Sequence, residues 1–371
     1  MKILFIAPVP PPVNGQSKAS KVLLDALIDK HEVEIVNLSK SSLKNGANSF
    51  GRLFEIIGIL KEVNRKKSNN DIIYISLAES FAGNMRDLAI YNLCKKDLHK
   101  TFIHMLGGAG MKEILSNEGW QKNINSGFMK KLAGVIVEGP VNYETFKKAV
   151  PEEKIHIVPN FAEDFLFVTD EEIKGKFENL EPIQLLYLSN LIPGKGYDEL
   201  ADAYLSLSPE EQAQIKISFV GGFESEESEK KFLKKIDGNT GFKYLGKFID
   251  GEEKRKLYCQ SHVFCLPTYY PFEGQPISIL EGYATGCVVI TSNHSGIPYI
   301  FKDKVNGLMV EKKSVTSLNN ALKGLISEKE NLMKIAIHNR NEALEKYRTG
   351  IYQDKILKLF SDQYEKDRST S

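Results

Sequence analysis

Two glutamates with seven residues between them frame the stretch of the sequence best suited to chemistry. Glu273 follows an apolar run and an aromatic loop, and Glu281 lies inside the helix predicted over residues 276–286. Three backbone N–H groups stand at the start of this helix, those of Gly274, Gln275 and Ile277. Free N–H groups at a helix N-terminus favour phosphate, whereas carboxylates beside them accept hydrogen bonds from sugar hydroxyls. The stretch therefore indicates a sugar nucleotide, with its diphosphate at the helix start, a hexose near Glu273 and a ribose near Glu281.

The same two glutamates also have a simpler interpretation. An acidic residue before a helix favours the helix dipole, and Glu281 can be an ordinary solvated side chain. A second element bears on this choice, because Lys195 lies in the glycine-flanked loop 189–196, between the apolar run 185–188 and a predicted helix. A lysine in such a loop is a suitable point charge for a diphosphate. Since ligands of open α/β sheets bind outside the carboxyl ends of the strands, we expect these loops to form one site.

The spacing Glu-x7-Glu between an apolar strand and the next helix resembles the signature of retaining glycosyltransferases of family 4, which have the GT-B fold. The Glu-Gly-x-Pro turn, the Glu-Gly-x-Ala-x-Gly ending and the Val-Pro-Asn turn at residues 158–160 agree with it. The resemblance spans nearly the whole chain. It implies that Glu273 contacts the donor sugar and that Glu281 contacts the ribose. It also implies that the residues between them hold the distal phosphate, namely Gly274, Gln275, Pro276, Ile277 and Ser278.

Three positions depart from the family pattern or match it only in part. Asn190 replaces the arginine that, together with the lysine at Lys195, neutralises the donor diphosphate in the resembled family. This removes one fixed positive charge and a bidentate donor, which leaves full donor affinity open. His104 stands two residues before the place of the family's sugar-contacting histidine, and it fits a core histidine almost as well. Gly15 either approaches the donor from the N-terminal domain or is needed only for its turn.

The composition limits the class of protein. Of 371 residues, 49 are Lys or Arg and 48 are Asp or Glu, so no overall basic field argues for nucleic acid. The four cysteines form no Cys-x-x-Cys pair, which indicates core thiols in a reducing compartment. Because the sequence has neither an Asp-x-Asp element nor a Gly-x-Gly-x-x-Gly fingerprint, we expect no metal and no cofactor. The first apolar run is too short for a signal peptide, and we expect a cytoplasmic location.

Two series of strand, loop and helix predict two doubly wound, Rossmann-like α/β domains that face each other across a cleft. We predict an N-terminal acceptor-side domain over residues 1–165 and a C-terminal nucleotide-sugar domain over 166–349. A helix over about 350–371 is expected to pack back on the N-terminal domain, as in GT-B proteins. An amphipathic helix with a basic end is predicted over 51–67. A crossover helix with a solvated end accounts for this pattern better than a helix on an anionic membrane surface, and both stay open.

From the resemblance we expect a retaining, metal-independent hexosyltransferase. It would move a sugar from a nucleotide-diphosphate sugar to a hydroxyl of a glycan or lipid-linked oligosaccharide, in polysaccharide or glycoconjugate synthesis. Catalytic roles are expected for Glu273, Lys195 and His104, and a peripheral contact with the inner membrane face stays open. Two alternatives remain, a nucleotide-sugar epimerase of the same fold and a donor-binding protein whose site is weakened at Asn190. A structural interaction protein is least favoured, because it needs no carboxylates at strand ends.

Overall fold

The computed structural model describes residues 1–39, 49–107 and 110–370, and they form two compact units. Unit 1 contains Met1–Asn160 and the C-terminal segment from Gly350, whereas unit 2 contains Phe161–Thr349. Within the described residues, each unit is built around one six-stranded parallel sheet. The division between the units falls a few residues before the predicted domain boundary.

Strands and helices alternate along both units. Unit 1 contains β1 (Lys2–Ala7), α1 (Gly15–Ile28), β2 (Glu32–Asn37), α2 (Ser49–Lys66), β3 (Ile72–Ser76), α3 (Phe81–Leu93), β4 (Thr101–Met105), α4 (Gly110–Ser116), α5 (Trp120–Met129), β5 (Gly134–Val137), α6 (Pro140–Phe146) and β6 (Ile155–Ile157). Unit 2 contains α7 (Asp170–Phe177), β7 (Ile183–Leu188), α8 (Tyr197–Leu205), α9 (Pro209–Gln212), β8 (Ile215–Val220), α10 (Glu226–Ile236), β9 (Phe242–Tyr244), α11 (Gly251–Cys259), β10 (Val263–Leu266), α12 (Ile277–Ala284), β11 (Val288–Ser292), α13 (Ile297–Ile300), β12 (Gly307–Val310), α14 (Val315–Ser327) and α15 (Lys329–Lys346). The last helix, α16 (Thr349–Thr370), returns to unit 1.

The sheet of unit 1 has the strand order β2-β1-β3-β4-β5-β6. Strands β3 and β4 are buried at every residue, which accounts for their continuous apolar sequence. Because side chains alternate along a strand, Ile103 joins the core formed with α2, α3 and α5, whereas Phe102 points to the opposite face. On that opposite face, the Phe360 ring of α16 packs against Phe102 and Tyr74. Helix α16 also contacts α1, where Gln353 Nε2 donates to the Val22 carbonyl at 2.9 Å.

The sheet of unit 2 has the strand order β12-β11-β10-β7-β8-β9, and its order reverses between β7 and β10. Strand β7 pairs in parallel with β8 on one side and with β10 on the other. This is the strand order of the doubly wound Rossmann fold, in which the ligand crevice lies at the switch point. The predicted α/β class with two doubly wound units is therefore confirmed.

Two predicted helices differ slightly in the structure. The helix predicted over 51–67 is α2, which ends at Lys66. The helix predicted to begin at Pro276 begins instead at Ile277, because the Pro276 backbone is extended with ψ of 117°. Among the helices of the described ranges, none combines the length and the apolar character that crossing a membrane requires.

Candidate active site

The loops after β7 and β10 meet at the switch point of unit 2 and bring Lys195 together with Glu273. Lys195 follows β7, Glu273 follows β10, and the two strands are neighbours in the sheet. The Nζ atom of Lys195 lies 2.6 Å from Oε2 of Glu273, and only 12% and 10% of the two side chains are exposed. Two residues predicted from the sequence are thus paired directly, at the sheet edge where doubly wound folds bind their ligands.

The Glu273 carboxylate is held from a second side by Thr268. The buried hydroxyl of Thr268 donates to Oε2 of Glu273 at 2.8 Å. Both side-chain bonds end on Oε2, and within the described part of the chain no hydrogen bond reaches Oε1. An ionised carboxylate oriented in this way keeps the capacity to accept a bond from a further hydroxyl group.

The loop that carries Lys195 is fixed by two tyrosines. The buried hydroxyl of Tyr187 lies 3.2 Å from the carbonyl oxygen of Asn190 and 3.4 Å from that of Lys195. Burial raises the pKa of Tyr187 well above its ordinary value, so this hydroxyl remains a donor. Nζ of Lys195 lies 5.0 Å from the centre of the Tyr270 ring, a cation–π contact. The Asn190 side chain is exposed and, unlike an arginine, adds no positive charge to the loop.

Two glycines let the β7 and β10 loops approach each other closely. Gly196 has φ of +80°, and a Cβ atom there would lie 2.4 Å from the carbonyl oxygen of Pro267. Gly194 has φ of +93°, and its carbonyl accepts a hydrogen bond from the Tyr269 amide at 2.6 Å. Both conformations favour glycine, so the Gly-Lys-Gly sequence allows Lys195 to reach the other loop.

The turn before α12 is clamped by residues that follow β11. The Ser295 hydroxyl donates to the Glu273 carbonyl at 2.5 Å, and the Gly296 amide donates to the Gly274 carbonyl at 3.2 Å. The first N–H groups of α12, which begins at Ile277, have no acceptor within the helix, as at any helix N-terminus. The other predicted residues of this turn differ in burial: Gln275 and Pro276 are buried, whereas Ser278 is partly exposed.

Glu281 lies in a buried charged cluster that the sequence did not indicate. Nζ of Lys254 approaches Glu281 Oε1 at 3.0 Å, and the Tyr258 hydroxyl donates to Oε2 at 3.3 Å. Lys254 also pairs with Glu163 at 3.1 Å and with Asp250 at 3.2 Å. Burial, followed by the charge of Glu281, raises the pKa of Tyr258 well above its ordinary value. The Glu281 carboxylate is thus oriented by Lys254 and Tyr258. The ribose contact expected for Glu281 stays a prediction.

The two predicted site residues of unit 1 have different surroundings. His104 is fully buried in β4, where its Nδ1 atom lies 2.8 Å from the Tyr74 hydroxyl and its ring packs near Tyr352 of α16. Burial lowers the pKa of His104 to about 3, so the imidazole is neutral. None of the His104 surface is exposed, and the catalytic contact expected of this residue stays a prediction. Gly15 is exposed as the first residue of α1, after the cap residue Asn14.

Metal and thiol chemistry can be assessed in the part of the chain that the structure describes. No group of three or more His, Cys, Asp or Glu side chains is arranged there to hold a metal ion. All four cysteines are free thiols, and three of them are buried. Independence from metals stays a prediction.

Sequence analysis missed three residues that hold the two glutamates. Thr268 had a weak signal, since it follows the apolar run 263–266 closely, where strand-end groups enter a site. Lys254 had none, because it stands in the charged run 252–256, which is typical of a solvated helix face. Tyr258, two residues beyond this run, had no signal either.

One family model and several known relatives resemble this chain in sequence. Residues 168–342, all within unit 2, match the family model of the glycosyl transferases group 1. A relative, an uncharacterized glycosyltransferase of Methanocaldococcus jannaschii, is 27% identical over 255 residues, or 64% of this chain and 61% of the relative. The UDP-Gal:alpha-D-GlcNAc-diphosphoundecaprenol alpha-1,3-galactosyltransferase of Escherichia coli is 33% identical over 103 residues, or 28% of this chain and 26% of the relative. The chain thus spans less than two thirds of either relative.

Solved structures share the fold over the whole chain. The Anabaena HepE complex with UDP and glucose has a TM-score of 0.73 at 16% identity, covering 98% of this chain and all of that one. Sucrose-phosphate synthase of Thermosynechococcus elongatus has a TM-score of 0.77 at 15% identity, covering 98% and 99%. At such identities the likeness shows the fold alone, which is GT-B. The family model and both relatives are named as glycosyl transferases.

Proposed function

We propose that the protein is a retaining glycosyltransferase of family 4 that moves a sugar from a nucleotide-diphosphate sugar to a hydroxyl of a glycan or lipid-linked oligosaccharide. The observation that carries this proposal is the Lys195–Glu273 pair at the switch point of unit 2. It places one cation for a diphosphate beside one carboxylate for sugar hydroxyls. Both groups stand at the start of α12, whose N-terminal N–H groups favour phosphate.

In the proposed reaction, the bond between the anomeric carbon and the diphosphate oxygen breaks, and its electron pair stays on the diphosphate. The acceptor oxygen bonds to the anomeric carbon, and its proton passes to the diphosphate oxygen that leaves. The barrier falls mainly because Lys195 and the amides from Gly274 to Ser278 stabilise the charge that develops on the leaving group. Glu273 orients the sugar through Oε1, while Lys195 and Thr268 hold Oε2. Glu281 takes the ribose.

The proposal includes independence from metal ions and from cofactors. Lysine and backbone N–H groups supply the positive potential that a divalent cation would otherwise bring to a departing diphosphate. Position 190 is an asparagine and not an arginine, so Lys195 is the one side-chain cation of the loop 189–196. It must therefore offset more of the diphosphate charge by itself. A cytoplasmic location is part of the proposal and agrees with four free thiols.

The relatives' names bear on the acceptor. The Escherichia coli relative is named for an acceptor on diphosphoundecaprenol, and a Campylobacter jejuni relative, 28% identical over 117 residues, is named for one on diphospho-undecaprenol. Each alignment covers about a third of this chain or less. They favour a lipid-linked acceptor over a soluble glycan.

A donor screen followed by product analysis tests the proposed function. The purified protein is heated with a panel of nucleotide sugars, and a true donor raises the unfolding temperature. That donor is then supplied with diphosphate-linked lipid acceptors, and the anomeric configuration of the product is read by NMR. Retention of configuration without added metal is the expected result, whereas inversion, or hydrolysis alone, would contradict the proposal.

Asn190 favours one alternative, a protein that binds the donor without turning it over. Such a protein would show the same thermal shift but no product with any acceptor. If Asn190→Arg then created transfer activity, the wild-type site would be a weakened one. Turnover by the wild type would exclude this alternative.

A further inference from the structure

The ammonium group of Lys254 lies among three carboxylates of unit 2. Its Nζ atom is 3.0 Å from Oε1 of Glu281, 3.1 Å from Oε2 of Glu163 and 3.2 Å from Oδ1 of Asp250. An ammonium group has three N–H donors, so one can point to each carboxylate. The same Nζ lies 5.5 Å from the centre of the Phe165 ring. Lys254 therefore has one defined position, although its sequence surroundings are those of a solvated helix face.

The three carboxylates differ in how much they depend on Lys254. The side chains of Glu163 and Asp250 are 26% and 52% exposed, so water offsets part of their charge. The side chain of Glu281 is only 4% exposed. The Tyr258 hydroxyl, which also bonds to Glu281, carries no charge. Lys254 therefore offsets a negative charge on Glu281 that water hardly reaches.

Helix α11, which carries Lys254, is anchored on two sides. Nε of Arg255 donates to the Phe165 carbonyl at 2.9 Å, which binds α11 to the chain segment that includes Glu163. On the side of α12, the Tyr258 hydroxyl donates to the Ser278 carbonyl at 3.1 Å. Because these contacts fix α11 between both neighbours, Lys254 can hold a carboxylate in one orientation before a ligand arrives.

Glu281 stands one helical turn after Ile277, the first residue of α12. Four residues of α-helix are about 6 Å long. In the proposed function the diphosphate lies at the start of α12 and at Lys195. The ribose of a nucleotide follows the diphosphate directly, so a carboxylate one turn further along the helix is at a suitable distance for the ribose hydroxyls.

We propose that Lys254 is a positioning residue for the ribose of the donor and that, through Glu281, it makes the site select a ribonucleotide. This inference rests on the proposed function. A carboxylate has about four lone-pair sites, more than the bonds from Lys254 and Tyr258 use, and the 2′ and 3′ hydroxyls donate to it. A site built to bind a hydroxyl rejects an analogue that lacks it, because a buried polar group is then left without that partner.

Calorimetry with the full-length protein tests this selectivity. Adenosine, cytidine, guanosine and uridine diphosphates are titrated, and the tightest binder is compared with its 2′,3′-dideoxy counterpart, which lacks both hydroxyls. We expect the dideoxy compound to have a Kd at least about ten-fold higher, because hydrogen bonds to a charged group contribute a factor of about ten or more. Lys254→Met should bring the two Kd values to within about three-fold of each other, mainly by weakening the ribonucleotide. Equal Kd values in the wild type would overturn the proposal.

A second variant keeps the test decisive if Lys254→Met does not fold. Lys254→Arg keeps the positive charge, but its planar guanidinium group cannot reproduce the geometry of an ammonium group, so the Kd ratio should fall partway. A wild-type ratio in either variant that folds would overturn the proposal.

A double-mutant cycle shows whether Lys254 acts through Glu281. Glu281→Gln alone should abolish the preference for the ribonucleotide, and adding Lys254→Met should then remove nothing further. Losses that add up would contradict a positioning role.

Lys176→Met is the matched control for a general loosening of unit 2. Nζ of Lys176 donates to the Thr285 carbonyl at 2.6 Å and to the Ser261 carbonyl at 3.1 Å, so this partly buried lysine also joins α11 to α12. Lys176→Met should lower the free energy of unfolding and leave the Kd ratio at its wild-type value. An equal loss of the ratio in Lys176→Met would overturn the specific role of Lys254.

Donor kinetics separate this inference from the proposed function. A ribose contact is the same in the ground state and the transition state, so Lys254→Met should raise the KM for the donor and leave kcat nearly unchanged. Lys195→Ala, which removes charge stabilisation of the leaving group, should lower kcat. If the wild type selects the ribonucleotide through Lys254 but transfers no sugar, the inference stands and the proposed function falls. If it transfers sugar and Lys254→Met keeps the Kd ratio, the function stands and the inference falls.

Discussion

Lys195 and Glu273 are 78 positions apart in the sequence, yet their Nζ and Oε2 atoms lie 2.6 Å apart. The sheet of unit 2 causes this, because β7 and β10 are neighbours at its switch point. The pair neutralises two charges that are almost wholly buried. The Lys195 ammonium group is therefore oriented by a carboxylate and by the ring of Tyr270.

Thr268→Val tests how firmly the Glu273 carboxylate is held. The change keeps the shape of the side chain and removes the 2.8 Å hydrogen bond to Oε2, together with the longer bonds of the hydroxyl to the Gly194 carbonyl at 3.3 Å and from the Tyr270 amide at 3.2 Å. Because a hydrogen bond to a charged group contributes about 1.5 kcal/mol or more, we expect kcat/KM for sugar transfer to fall by about ten-fold. The control is Thr291→Val, whose buried hydroxyl donates to the Leu266 carbonyl at 2.8 Å. Similar kcat/KM values for the two variants would contradict the assigned role of Thr268.

Asn190→Arg tests the departure from the family pattern. The residue is exposed in the Lys195 loop, where a guanidinium group would bind a phosphate by two charge-assisted hydrogen bonds. We expect the Kd for a nucleoside diphosphate to fall by about ten-fold in calorimetry, with a steeper dependence on salt. Asn179→Arg adds the same charge to an exposed position before β7, at the other end of the strand. An equal fall in Kd for both variants would mean that the added positive charge strengthens binding wherever it is placed, and that its position in the Lys195 loop does not matter.

Lys254→Met tests the buried cluster around Glu281. Both side chains of the pair are only 4% exposed, so the change removes the ammonium partner of a buried carboxylate. We expect a loss of about 3 to 5 kcal/mol in the free energy of unfolding, measured with urea. Lys254→Met combined with Glu281→Leu should lose much less, because the charge is removed as well. A single change that costs under about 1 kcal/mol would contradict a buried ion pair here.

The buried His104 should make the free energy of unfolding depend on pH. Its pKa is about 3 in the folded chain and about 6.5 when unfolded, so the unfolded chain binds more protons between these values. The contribution of His104 is complete above about pH 6.5 and declines at lower pH, by up to about 1.4 kcal/mol per unit. His104→Gln should therefore flatten the curve of unfolding free energy between pH 6.5 and 5.

The fold could be predicted largely because its strands are parallel and buried on both faces. Such strands are continuous apolar runs, and the runs at 3–7, 185–188 and 263–266 correspond to β1, β7 and β10. Their loops could be grouped into one site because the carboxyl ends of parallel strands share an edge. The pairing of Lys195 with Glu273 needed the strand order, which a sequence pattern does not contain.

The surroundings of His104 and Lys254 were not predictable for one physical reason, which is packing by distant segments. Side chains alternate along a strand, so the sequence predicts the face of β4 on which His104 lies. It does not show that α16 covers that face. Lys254 stands in a charged run, and it is buried only because α11 packs where Glu281 of α12 and Glu163 converge. Local patterns report the side of an element on which a residue lies. They do not report what covers that side.

The affinity of Lys195→Ala for a nucleoside diphosphate, measured by calorimetry, tests the central claim most directly. Lys235→Ala is the matched control, since Lys235 of unit 2 pairs with Asp198 at 2.7 Å on α8, outside the switch point. Losing one charge-assisted phosphate contact of at least about 1.5 kcal/mol should raise the Kd by about ten-fold or more for Lys195→Ala, and leave it unchanged for Lys235→Ala. Wild-type affinity in the Lys195→Ala variant would contradict a diphosphate site at the switch point of unit 2.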